Sequence, residues 1–240
     1  MLILAFDTTS EEGGVGIFRD AERLASISNT GQANQYSISL FEMVEQALRQ
    51  AHIELREIDL YAAANGPGSF TGTRVGLAAA LAWGRVFGRP VRGISVLEAM
   101  ANTVPLATDW AFPIMDGRRG EFFLGSFRRK PSESPGAARP DYESVDSGWI
   151  LKPDSLREFL HERIPGGGTA TCLARAHDQA AVSLCASLPA PLQWRQVDGL
   201  LVDSIAAIAR KEVQSNTSCP SAKLDAYYLR RPDAELNWKG

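Results

Sequence analysis

The residues that invite a chemical reading lie in one stretch, Asn65-Gly-Pro-Gly-Ser-Phe-Thr-Gly-Thr-Arg-Val-Gly76. An apolar run from Ile58 to Ala64 precedes it, and an Ala- and Leu-rich run from Thr73 to Phe87 follows. A glycine-rich turn between a strand and a helix aims backbone N–H groups and a positive helix end at one point, which suits an anion. It is not a P-loop, because no Lys-Ser or Lys-Thr pair closes it. Nor is it the dinucleotide fingerprint, since Thr71 stands where the third glycine belongs. A tight turn without a ligand is the competing reading of the same residues. Elsewhere the sequence offers little catalytic material. The three histidines, His52, His161 and His177, lack a metal-pair spacing. No GxSxG elbow occurs. Cys172, Cys185 and Cys219 are odd in number and widely spaced. They fit buried free thiols in a reducing compartment better than a disulfide framework or a zinc site.

The helix after the glycine turn is apolar almost all round, apart from Arg74 and Arg85 on one strip. Such a helix is buried almost all round, as a core helix or as a docking face for another chain. Gly72, Gly76, Ala80 and Gly84 recur every four residues and would let a second backbone come close. Upstream, the spacing predicts a helix over Gln35 to His52, whose apolar positions cover an arc of roughly 160°, wider than one sheet contact needs. A partner interface is therefore expected on these two helices, through Tyr36, Leu40, Met43, Ala47, Gly72, Gly76, Ala80 and Trp83.

Around the helices the chain alternates strands and helices. Strands are expected at Leu2–Phe6, Gly14–Phe18, Arg23–Ser28, Ile58–Ala64 and Val91–Ser95, with Ser95-Val-Leu-Glu98 capping a further short helix. The second half repeats the order. A strand over Phe112–Met115 ends in Asp116, as the first strand ends in Asp7. Glu121–Phe127 and Trp149–Leu151 follow as strands, with a Pro- and Ser-rich exposed loop or distorted hairpin over Lys130–Gly148 between them. Then come a helix over Pro153–Arg163, a strand toward Cys172, a helix between Arg175 and Ser187, a strand over Leu192–Val197 and a helix over Leu200–Val213. Two copies of one order indicate an α/β fold of duplicated ribonuclease-H-like lobes, the two-lobed actin-like architecture. The lobes are expected at residues 1–104 and 105–240, with the tail 216–240 crossing back to the first. The 240 residues are 45% hydrophobic and 22% charged, with net charge −3. That is an ordinary soluble composition without a general basic field for nucleic acid. The opening Met1-Leu-Ile-Leu-Ala-Phe-Asp7 lacks a basic leader and no run is long enough to span a membrane, so a cytoplasmic protein is expected.

The segment Gly66-Pro-Gly-Ser-Phe-Thr-Gly-Thr-Arg-Val-Gly76 resembles the G-P-G-S-F-T-G-x-R-x-G signature of the TsaB (YeaZ) family. Ile3-Leu-Ala-Phe-Asp-Thr-Thr9, Asp116-Gly-Arg-Arg-Gly-Glu-Phe122 and Tyr228-Leu-Arg230 resemble, in the right order, its opening strand, its D-x-R-x-G-E motif and its tail motif. Asp225-Ala-Tyr-Tyr228 lacks the proline that relatives commonly carry two residues before the Tyr-Leu-Arg. The resemblance implies a non-catalytic member of the actin-like ATPase superfamily, working in the formation of N6-threonylcarbamoyladenosine beside the anticodon of tRNA. It also implies partners: the catalytic paralogue TsaD, the ATPase TsaE, and a second copy of the chain when TsaD is absent. Contact with tRNA would come only through the complex, and a separate synthase, TsaC, would supply the threonylcarbamoyl-adenylate. TsaD binds its metal with a His-x-x-x-His pair, which is missing here; no metal ligand and no catalytic residue is expected. In active superfamily members the two Asp turns hold metal and nucleotide phosphates. Asp7, Thr8, Thr9 and Asp116 are accordingly the candidate nucleotide-site residues, read as vestigial, with ATP or ADP and magnesium entering at the level of the complex. An autonomous actin-like ATPase or small-molecule kinase using Asp7 and Asp116 is the rival reading, and a self-associating structural protein a third.

Overall fold

The computed structural model describes residues 1–29, 36–103, 106–130, 142–164, 168–197 and 199–215. They form two compact units, Met1–Ala99 with residues 199–215, and residues 100–197.

In the first unit β1 (Leu2–Asp7), β2 (Gly14–Arg19) and β3 (Glu22–Ser28) make an antiparallel meander. α1 (Tyr36–Ala51) returns the chain to β4 (Leu60–Gly66), α2 (Phe70–Phe87) leads to β5 (Val91–Ser95), and α3 (Val96–Ala101) follows. The sheet order is β3-β2-β1-β4-β5, with β4 parallel to both β1 and β5. Side-chain alternation decides what each face holds. Leu4, Phe6, Val15, Ile17, Tyr61, Ala63 and Val91 point to one side and share a core with α1 and α2. Gly14 and Gly16 fall out of phase with Val15 and Ile17. A Cβ on Gly14 would come 3.0 Å from Leu200, and one on Gly16 3.1 Å from Val202. The other face is thus covered by α6 (Val202–Gln214), through buried Val202, Ile205, Ala206 and Ala209.

That placement corrects the expected boundary, which gave this helix to a second lobe of residues 105–240. An amphipathic helix goes where an apolar sheet face is bare, and α1 and α2 cover only one face of the first sheet. Arg23 reaches Asp203 at 3.1 Å and Arg92 reaches Glu212 at 3.4 Å, tying α6 to β3 and β5. The tail 216–240 lies outside the described residues.

The second unit runs β6 (Trp110–Asp116), β7 (Phe122–Leu124), β8 (Phe127–Arg129), β9 (Tyr142–Ser144), β10 (Trp149–Leu151), α4 (Pro153–Arg163), β11 (Ala170–Arg175), α5 (Gln179–Ala186) and β12 (Gln193–Val197). Its main order, β10-β7-β6-β11-β12, reproduces β3-β2-β1-β4-β5, and α4 and α5 stand where α1 and α2 stood. The expected duplication is present. The expected strand over Glu121–Phe127 divides in two. β7 pairs with the far end of β6, while β8 pairs with its start and carries β9 along. Phe112, Ile114, Leu124, Leu156, Leu160, Cys172, Ala174 and Leu184 form the core between this sheet and its helices.

Candidate functional site

The structure brings the Asp7 turn and the glycine segment into direct contact. Asp7, Thr8 and Thr9 are all buried. Asp7 Oδ1 accepts from Thr9 N at 2.8 Å and from the Thr9 hydroxyl at 2.5 Å. The Thr8 hydroxyl donates to the Gly72 carbonyl at 2.7 Å, and Ser69 N donates to the Thr9 carbonyl at 2.7 Å. Both hydroxyls therefore donate inward. The glycines of the segment are there for this approach. A Cβ on Gly72 would lie 1.9 Å from the Thr8 carbonyl oxygen, and one on Gly76 2.4 Å from Thr8 Oγ1. Gly68, at φ 157°, would place its Cβ 2.6 Å from the Thr9 carbonyl. The Ser69 hydroxyl caps α2 by accepting from Gly72 N at 3.2 Å, and Gly88 closes the helix in the left-handed region at φ 64°. Of the two readings of the segment, the tight strand-to-helix turn is the one seen here, seated on the end of β1.

Asp116 ends β6 in the second unit and is exposed. Its Oδ1 accepts from Arg118 N at 2.8 Å, and its own N–H donates to Asp178 Oδ2 at 2.7 Å. Asp178 also caps α5, accepting from Ala181 N at 2.9 Å. Arg118 and Arg119 take positive φ, 61° and 57°, before Gly120 at 72°. Side-chain-bearing residues adopt this conformation only under local constraint. Of the sequence-predicted nucleotide residues, Asp7, Thr8 and Thr9 are thus held together, and Asp116 belongs to a separate turn. Among the described residues no group of three or more His, Cys, Asp or Glu side chains could hold a metal ion.

The predicted interface residues need correction. Tyr36, Leu40, Met43 and Ala47 are buried against the first sheet, and Gly72, Gly76 and Ala80 are buried in the same unit. Trp83 is partly buried, edge-on to Phe6 at 5.9 Å and tilted on Tyr61 at 6.0 Å. The wide arc on α1 is absorbed because α1 rests on β2, β3 and α2 at once. The glycine stripe is absorbed because Gly72 and Gly76 face Thr8 of the β1 turn and Gly84 faces Val91 of β5. What remains outside is a different set: Ile38 at 66%, Phe41 at 55% and Val86 at 73% exposure. Phe41 meets Trp83 edge to face at 5.7 Å, so the start of α1 lies beside the end of α2. Ile38 precedes Phe41 by one turn, and Val86 follows Trp83 by one turn. At α2's other end Arg74 lies over the Phe70 ring, 3.7 Å from its centroid. A signal for the missed residues was available. Ile38 is roughly 180° around the helix from Ala47, a large apolar side chain among Glu42, Glu45 and Arg49.

A family model described as TsaD, tRNA N6-adenosine threonylcarbamoyltransferase, matches residues 27–193. The tRNA threonylcarbamoyladenosine biosynthesis protein TsaB of Bacillus subtilis is 30% identical over 132 residues, 54% of this chain and 56% of its own. TsaB of Escherichia coli is 27% identical over 168 residues, 68% of this chain and 66% of its own. A tRNA N6-adenosine threonylcarbamoyltransferase of Rhizobium leguminosarum is 32% identical over 132 residues, 47% of this chain and 36% of its own. The aligned stretches therefore span only part of each relative. YeaZ from Pseudomonas aeruginosa superposes with TM-score 0.71 at 19% identity, over 95% of this chain and 99% of that one, and shares the two-lobed actin-like fold. The chain belongs to the TsaD family, tRNA N6-adenosine threonylcarbamoyltransferase, as one of its TsaB (YeaZ) members.

Proposed function

We propose that the chain is a non-catalytic subunit of the assembly that transfers a threonylcarbamoyl group to N6 of the adenosine beside the anticodon of tRNA. The observation that carries this reading is the exposed apolar face of α1 and α2, built from Ile38, Phe41 and Val86 around Trp83. Clustered apolar side chains left in water mark an interface. The occupant we assign is the TsaD transferase, a paralogue with the same fold, and a second copy of this chain when TsaD is absent. TsaE joins that assembly in the cytoplasm, ATP or ADP and magnesium act within it, and tRNA meets this chain only through it. Against an autonomous ATPase or kinase stands the Asp7 turn, whose Thr8 and Thr9 hydroxyls donate to groups of the turn's own surroundings.

The test is reconstitution. The purified chain is incubated with tRNA, threonine, bicarbonate, ATP and the synthase TsaC, and nucleosides are quantified after digestion. No threonylcarbamoyladenosine is expected until TsaD and TsaE are added. Modified adenosine in the absence of TsaD would sink the non-catalytic reading.

A further inference from the structure

We propose that the Asp7–Gly13 turn is the seat that sets the docking face, with Thr8 and Tyr36 as its positioning residues. The proposal rests on the reading of α1 and α2 as the TsaD-docking surface and names what holds that surface in shape. Each helix is fastened to the turn by a directional contact at its first turn. For α2 it is Thr8, buried, whose hydroxyl donates to the Gly72 carbonyl at 2.7 Å. For α1 it is Tyr36, also buried, whose hydroxyl donates to the Ser10 carbonyl at 2.7 Å and accepts from Gly13 N at 2.9 Å. Neither seat tolerates added bulk. A Cβ on Gly13 would fall 2.1 Å from the Asp7 carbonyl oxygen and 2.3 Å from Tyr36 Oη, and one on Gly72 1.9 Å from the Thr8 carbonyl.

Ser69 N, at the cap of α2, adds a backbone bond to the Thr9 carbonyl at 2.7 Å. The core contacts of these helices are of another kind. Leu40, Val44 and Ala47 on α1, and Leu77 and Ala80 on α2, rest in the apolar core. Apolar contact is non-directional, so it fixes depth better than rotation or axial position. The hydrogen bonds to the turn supply the missing constraint. Ile38 and Phe41 lie within the first two turns after Tyr36, so a change at Tyr36 acts on them over a short distance. Trp83 and Val86 lie farther from Thr8. At 1.5 Å per residue, Trp83 is about 16 Å along α2 from Gly72, so a tilt of about 10° at the seat moves it by about 3 Å. An interface core packs as tightly as a protein interior, and displacements of that size are felt as lost affinity. A turn in the position of a phosphate loop is thereby put to use as a clamp.

The experiment measures affinity for purified TsaD by isothermal titration calorimetry, with the full chain, well below its melting temperature. Thr8→Val removes a hydroxyl at constant shape, and Tyr36→Phe removes the other. Each is expected to raise Kd about tenfold or more, which is the range of one lost charge-free hydrogen bond plus repacking. Thr8→Ser, which keeps the hydroxyl, is expected to restore binding to within about threefold of the parent. Phe41→Glu serves as the control on the docking surface itself and is expected to abolish binding. Affinity unchanged in folded Thr8→Val or Tyr36→Phe, with Phe41→Glu binding lost, overturns the proposal and leaves the docking surface standing. Affinity unchanged in Phe41→Glu overturns the docking surface and the proposal with it. A purely structural role would lower the melting temperature of Thr8→Val without moving Kd, and that result also counts against us. Should Thr8→Val not fold, the near-isosteric Tyr36→Phe decides alone.

Discussion

Asp7 carries the residue-scale question, because its type suggests phosphate chemistry and its surroundings do not. The carboxylate accepts two donors from Thr9 while fully buried. Removing a buried acceptor strands its donors, at about 1–3 kcal/mol. Asp7→Ala, which removes the acceptor, should therefore lower unfolding free energy by about that amount in urea titrations. It should do so without abolishing modification by the reconstituted complex. A more than tenfold loss of activity in folded, complexed Asp7→Ala protein, about 1.4 kcal/mol in barrier, would return a nucleotide role to the turn. The same reasoning bears on the thiols. Cys172 and Cys185 are buried and free. Burial pushes the Cys172 thiol well up, with Cys185 adding to the effect. Burial chiefly, helped by the negative charge of Asp178, pushes Cys185 up to about 12. A raised thiol pKa depletes the thiolate, the reactive form, across the neutral range. Iodoacetamide labelling near pH 8, read by peptide mass spectrometry, should thus modify these two cysteines only after denaturant is added. Rapid labelling of either in the native protein would contradict the buried, protonated assignment.

Helices and turns were legible in the sequence to different degrees, and the reasons are physical. The apolar period located α1 to within a residue at each end, and the Asp turns after β1 and β6 exposed the duplication. The glycine segment was legible as a strand-to-helix turn but not in its partner. A glycine every four residues says that something comes close; it does not say whether that is a foreign helix or the chain's own Thr8. The inward and outward residues of α1 were likewise confused, because an arc of roughly 160° reads as surplus until the helix is seen to touch both sheet and neighbour. β4 starts at Leu60, not Ile58, and α2 starts at Phe70, three residues early, because Ser69 caps it. Between a loop and a distorted hairpin over Lys130–Gly148, the antiparallel pairing of β8 with β9 favours the hairpin, though the three residues Tyr142–Ser144 show no period to locate the strand. Gly76 now makes a sharp test at this scale. Gly76→Leu must push Cβ atoms into Thr8 Oγ1, which an ideal Cβ would meet at 2.4 Å. Overpacking of that kind costs about 1–3 kcal/mol, and thermal melting should report it in the isolated chain. A Gly76→Leu protein as stable as the parent would mean that this helix face is open after all.

For the whole molecule, the informative feature is that chain order and packing order part company at α6. The two units share a topology, but the first holds α6, which follows β12 in sequence and lies on the face formed by β1, β2, β4 and β5. Sequence periodicity showed an amphipathic helix there and had no means of naming the sheet it would cover; two equivalent sheets were on offer. The consequence is that folding of the first unit depends on residues made after those of the second unit's sheet. Ile205 is the probe, fully buried in the middle of α6's apolar stripe, with Val202 and Ala209 one turn to either side. Ile205→Ala removes three methyl or methylene carbons and leaves a cavity, an expected loss of about 2–5 kcal/mol. The loss should be local to one unit, because each has its own core and opens as its own cooperative element. In native-state hydrogen exchange, amides of β1, β2 and β4 should lose protection in the variant, while those of β6 and β11 keep it. A variant destabilised by less than about 1 kcal/mol, or one whose protection falls only in β6 and β11, would remove α6 from the first core and restore the simple division of the chain near residue 104.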